Sequence, residues 1–264
     1  MSFHKRLRLP REHGAWAMLY VPFVAGALVG GSFSLRIVLL FFAITFFFIA
    51  RESLLAWWRG RRQARPPEGS GRTALIYLAL AALSGAPLVL VYKLYWLAVP
   101  ATVGVILLAI NAEQAARRQD RTLSGEFMAI GGLTLTAAAA LYTGSGRWDI
   151  TSLWLWAMCA LYFASSVFYV KLRVYTMSPR KEEARRHMWW ASAGYHLFLL
   201  AGLAAFAATG SLSLFALVAF TPVLGRTFWS LFKPARQINL KRIGVLEIIY
   251  SVVFLVFITL SFRF

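Results

Sequence analysis

Cysteine is almost missing from this chain of 264 residues: Cys159 stands alone. One thiol excludes an internal disulfide and a cysteine-based zinc cluster. Acidic residues are scarce too, ten Asp and Glu against 28 Lys and Arg. Charged residues of all kinds reach 14%, where a soluble domain carries about a quarter. No glycine-rich phosphate loop, HExxH pair or GxSxG elbow occurs. The four histidines, His4, His13, His187 and His196, never pair four residues apart. The templates of soluble enzymes therefore fail.

Apolar sequence is what fills the chain. Hydrophobic residues make up 59% and the mean hydropathy is +0.64. Nine apolar runs stand out, at residues 13–31, 33–50, 73–92, 94–112, 125–143, 150–170, 188–209, 211–230 and 243–262. Runs of this length cross a bilayer as helices. The expectation is an all-α polytopic membrane bundle of about nine transmembrane helices, forming one domain over residues 1–264. The basic start of the chain resembles a signal peptide. Its apolar run is too long for an h-region, however, and a second run follows at Phe33, so a retained first helix is expected.

The net charge of +18 and pI near 10.9 find their reason in topology. The N-terminus and the even-numbered connections hold 24 of the 28 Lys and Arg, leaving Arg36, Lys93, Arg147 and Arg263 on the other side. This bias places the N-terminus in the cytoplasm and the C-terminus outside, in a bacterial inner membrane. Trp16, Trp57, Trp58, Trp189, Trp190 and Trp229 mark the inner interface, and Trp96 and Trp148 the outer one. Membrane lipids are the implied partners; nucleic acid is not. Pro22, Pro87, Pro100 and Pro222 interrupt spans, each freeing a carbonyl.

The few acids collect on one side. Glu12, Glu52, Glu113, Asp120 and Glu126 fall near cytoplasmic helix ends, and Glu247 lies about one turn inside the last span. Glu113, Arg117 and Arg121 are spaced four apart, which puts a Glu–Arg–Arg ladder on one helix face. Glu126 enters the first turn of a helix, where the dipole favours a carboxylate. The pairs Glu182–Arg186 and Glu183–His187 predict a short surface helix. Arg51 ends the second span and Lys171 and Arg173 the sixth. His196 and Arg226 are ionisable groups within spans, and such groups mark function by default.

The reading is a cytoplasm-facing polar cavity. Arg11, Arg51, Glu113, Asp120, Arg121, Lys171, Arg173, His196 and Arg226 are its expected substrate-binding residues. Glu12, His13, Glu52, Glu126 and Glu247 are its expected catalytic ones. No metal ligands are assigned, and the residues alone name no cofactor.

Two stretches carry a family likeness. "PREHGAWAMLYVPFVAG" with "RRQDRTLSGEFMAIGGL" resembles the YwiC-like family of bacterial membrane proteins along the whole chain. More distantly, "RRQDRTLSGEFMAIGGLTLTAAAALYTGSG" is similar to the fourth loop and fifth helix of the UbiA superfamily of intramembrane prenyltransferases, and "RPPEGSGRTALIYLALAAL" to the approach to its third helix. That resemblance implies a UbiA-like helix arrangement, an isoprenoid diphosphate as substrate, and Mg²⁺ held by Asp-rich motifs ending helices two and six. This chain has Glu52 as the lone acid at the first place, and Lys171 and Arg173 at the second. Such cations would attract an anion directly.

A diverged UbiA-type, lipid-modifying transferase is the function these features imply. Two other classes stay open. A small-anion or proton-coupled transporter predicts polar residues through the full bilayer and an internal repeat. A non-catalytic membrane assembly protein predicts a cavity that is absent or filled.

Overall fold

The computed structural model describes residues 13–31, 33–62, 69–117, 122–176, 182–210, 212–232 and 240–264. All regular structure among them is helical. The helices are α1 (His13–Val29), α2 (Leu35–Arg62), α3 (Ser70–Leu90), α4 (Ala98–Ala116), α5 (Leu123–Thr134), α6 (Thr136–Ser145), α7 (Ile150–Thr176), α8 (Glu182–Ala208), α9 (Leu214–Phe232) and α10 (Leu240–Ser261). A single 3₁₀ turn, Tyr95–Leu97, leads into α4. Eight stretches are long and apolar enough to cross a membrane, with α5 and α6 forming one of them, and α1 is a shorter apolar helix. Backbone groups in hydrocarbon have no water to bond, so a chain this apolar pairs them within helices.

Several helices outrun the apolar runs that announce them. α2 continues twelve residues past Ala50, to Arg62. Arg51 and Glu52 therefore sit within this 28-residue helix and not at its end. Leaving hydrocarbon does not end a helix; a stop signal does, and the first proline is Pro66. In the same way α7 carries Lys171 and Arg173 in its closing turns, and α8 absorbs the surface helix expected around Glu182.

The chain divides into two compact units, with the boundary between Trp156 and Ala157. In the first, α1 lies on α6, α3 lies on α2, and α4 lies on α2 and α5. The α1–α6 contact is close because α1 carries a small-xxx-small pair. A Cβ on Gly26 would collide with the Ala137 carbonyl, and one on Gly30 would stand 2.9 Å from the Leu141 carbonyl. Phe23, Ala27, Leu40, Leu88, Leu97 and Ala140 belong to the buried cluster at this junction.

The fifth span breaks at Leu135. Hydroxyls replace part of the helix ladder there: Thr134 Oγ1 donates to the Ile130 carbonyl at 2.7 Å and Thr136 Oγ1 to the Leu19 carbonyl at 2.8 Å. Trp156 Nε1 donates to the Gly131 carbonyl at 3.1 Å. Side chains thus satisfy a backbone that is irregular at membrane depth.

In the second unit α9 lies against both α8 and α10. Tyr162 of α7 stacks on Phe254 of α10 at 4.0 Å between ring centroids, and Phe220 of α9 meets Phe254 edge-on at 5.5 Å. All three rings are fully buried.

Candidate functional site

Small side chains open a cavity of about 470 Å³ in the first unit. From α3 come Ala81, Ala82 and Gly85, and from α4 Ala101, Gly104 and Val105. The α3 residues recur three and four apart, the spacing of one helix face. Gly132, Leu133, Leu135 and Thr136 form another wall, so the broken fifth span faces this space. A volume of this size falls in the usual range for small-molecule sites. Along α4 the lining runs from Ala98 to Asn111, roughly 20 Å at 1.5 Å per residue.

Charge is confined to one end. Among the described residues Arg51 is the one charged residue on the wall, and Asn111 stands beside it. Arg51 Nη2 donates to Asn111 Oδ1 at 2.7 Å, tying α2 to α4. Arg51 Nη1 donates to Glu52 Oε1 at 2.7 Å, closing an ion pair. Asn111 is buried, with 4% of its surface exposed, whereas the Arg51 and Glu52 side chains keep 22% and 32%. The arrangement suits a long apolar molecule with a small polar head.

The other polar groups are placed as follows. Arg11, Glu12, Asp120 and Arg121 lie outside the described residues. His13 opens α1, but its side chain lies outside the described set. Glu113 pairs with Arg117 at 2.8 Å, the first rung of the expected ladder. Glu126 occupies the first turn of α5, behind the Thr122 cap whose Oγ1 accepts from the Gly125 N–H at 3.3 Å. Neither Glu113 nor Glu126 lines the cavity.

In the second unit, Lys171 and Arg173 lie near the end of α7, where Arg173 Nε donates to the Tyr169 hydroxyl at 3.4 Å. Arg226 and Glu247 form a buried ion pair between α9 and α10, with 7% and 20% of their side chains exposed. Arg226 Nη2 also donates to Ser166 Oγ at 3.1 Å. The rings of Tyr169 and Tyr250 hold its guanidinium at 4.4 Å and 5.1 Å. His196 is wholly buried; its Nδ1 donates to the Ser192 carbonyl at 2.7 Å and its Nε2 takes the hydrogen bond of Ser165 Oγ at 2.8 Å. Two clamps result, one ionic around Arg226 and one neutral around His196.

Sequence reasoning passed over Asn111, Ser165, Ser166 and Tyr169. Asn111 did carry a signal: it is a lone amide closing the apolar run "VGVILLAIN". A model of the YwiC-like protein family matches residues 9–142. The chain is 30% identical to the uncharacterized protein YwiC of Bacillus subtilis over 254 residues, covering 94% of this chain and 95% of that protein.

The chain belongs to the YwiC-like family. An uncharacterized protein of Haemophilus influenzae is similar along its whole length as well, 23% identical over 97% of this chain and 99% of its own. No solved structure matches the chain. Every residue lining the cavity falls inside the stretch that the family model matches, whereas Arg226 and Glu247 fall outside it.

Proposed function

We propose that this YwiC-like protein binds an isoprenoid or related lipid chain in the cavity of its first unit, as the substrate-holding step of a diverged UbiA-type transferase. The observation that carries this reading is a long apolar cavity whose one polar end is built from Arg51 and Asn111. Apolar walls take the chain, and the Arg51 end receives the head. The reading takes both units as one membrane domain with the UbiA-like arrangement. It lies in the bacterial inner membrane, with the N-terminus in the cytoplasm, the C-terminus outside and the Arg51 end on the cytoplasmic side.

The UbiA resemblance also implies Mg²⁺. Among the described residues no three of His, Cys, Asp and Glu come together. Glu52, the acid at the place of the first Asp-rich motif, is engaged by Arg51. Hard divalent cations need several oxygen ligands, so this donor set does not fit the ion. The chain's own residues therefore act by holding and orienting a lipid.

Gly104→Leu tests the reading. A Cβ at Gly104 meets nothing within 4 Å, so a larger side chain grows into the cavity without touching the backbone. Mass spectrometry of co-purifying lipids should show one lipid species depleted about tenfold or more. Gly194→Leu in the second unit, equally open, should leave that species unchanged. Equal lipid content in wild type and Gly104→Leu would remove the proposal.

A further inference from the structure

The head group can be read from the chemistry of the cavity's polar end. Among the described residues Arg51 carries the one positive charge on the wall, and Glu52 already meets it at 2.7 Å. Its second terminal nitrogen donates to Asn111 Oδ1 at 2.7 Å. A guanidinium only donates, so this bond also settles the amide's orientation: the oxygen faces Arg51 and the NH₂ group faces away. No acceptor among the described residues meets that NH₂ group, although Asn111 is 96% buried and lines the cavity. A donor that lines a cavity is free to meet an acceptor brought by an occupant.

Resting on the lipid-chain reading above, we infer that the occupant is an uncharged isoprenoid or related lipid whose head oxygen accepts a hydrogen bond from the Asn111 amide. A diphosphate would bring several negative charges to a wall whose one cation among the described residues is already paired. Burying such charge without compensation is strongly unfavourable. The Asn111 amide would then set head-group specificity, while Glu52 excludes anions by holding Arg51 neutralised.

Two probes share a chain and differ in head: farnesylacetone, a ketone, and farnesyl diphosphate. Binding to the purified full-length protein in detergent should favour farnesylacetone by about tenfold or more. Asn111→Asp keeps an oxygen toward Arg51 and removes the N–H donors; it should weaken the ketone about tenfold and leave the elution profile of the folded protein unchanged. Glu52→Gln uncovers the Arg51 charge and should shift the preference about tenfold toward the diphosphate. Wild-type protein binding the diphosphate as tightly as the ketone would overturn this inference, as would Asn111→Asp with undiminished ketone binding. If neither probe binds, or Gly104→Leu binds the ketone as well as wild type does, the lipid-chain reading itself fails.

Discussion

The two units deal with polar groups in opposite ways. The first keeps a hollow: its small residues leave about 470 Å³ open, with a single ion pair at one end that remains in contact with solvent. The second leaves its strongest charge inside and fills the space around it. Arg226 meets Glu247, Ser166, Tyr169 and Tyr250, and His196 meets Ser165 and Ser192. A charge deep in a bundle is held by several partners at once, because an unmet hydrogen bond costs far more there than in water, although Arg226 Nε itself meets no acceptor among the described residues. An unmet donor beside an open cavity, such as the Asn111 amide, has a different meaning. The contrast separates groups that hold the protein together from groups available to a ligand.

Charge removal should break the comparison most sharply. Arg226→Leu strands Glu247 in a buried site and should destabilise the protein by about 3–5 kcal/mol, read as loss of folded material on gel filtration and in thermal unfolding. The double variant Arg226→Leu with Glu247→Leu should recover most of that loss. Arg51→Leu, at a partly exposed pair, should cost about 1 kcal/mol or less. Equal losses for Arg226→Leu and Arg51→Leu would erase the distinction drawn between the units.

Glycine substitutions probe the first unit from within. Gly26→Leu drives a side chain into the α6 backbone and should cost about 1–3 kcal/mol in detergent melts. Gly104→Leu points into open space and should leave the melting temperature unchanged or raised. The smallest effect concerns the turn after α3. Lys93 holds a left-handed backbone, φ 57°, and Lys93→Gly should raise stability by about 0.5–1 kcal/mol. A lower melting temperature for that variant would show that the Lys93 side chain itself stabilises the turn.

Much of the fold was legible before any coordinates. Each of the nine apolar runs is matched over most of its length by a helical stretch, because hydrocarbon permits few other solutions for so apolar a segment. Helix ends were harder to read. Hydropathy stops at the membrane surface whereas hydrogen bonding goes on, so Arg51 and Glu52 looked terminal and prove to lie inside α2. The break at Leu135 had no proline to announce it; paired glycines and threonines with local hydroxyl bonds produce it.

The candidate residues divide along the same line. Arg226 and Glu247 could be named from their position inside spans, but not their pairing, since 21 residues and a helix connection separate them. The cavity was hidden for a further reason. Ala81, Gly85, Ala101 and Gly104 carry no chemistry of their own, and a small residue can mean close helix contact, as at Gly26, or empty space, as at Gly104. Asn111 went unnamed in the sequence, because only its contact with Arg51 orients its amide.

The amino-acid sequence alone determined that this is a membrane protein of the YwiC-like family built from apolar helices, because transfer into hydrocarbon and internal hydrogen bonding act segment by segment. Only the tertiary structure decided which charges neutralise each other, which small residues touch a neighbour and which face a void. Those outcomes depend on distances between segments far apart in the chain, and electrostatic attraction and close packing are both decided by distance.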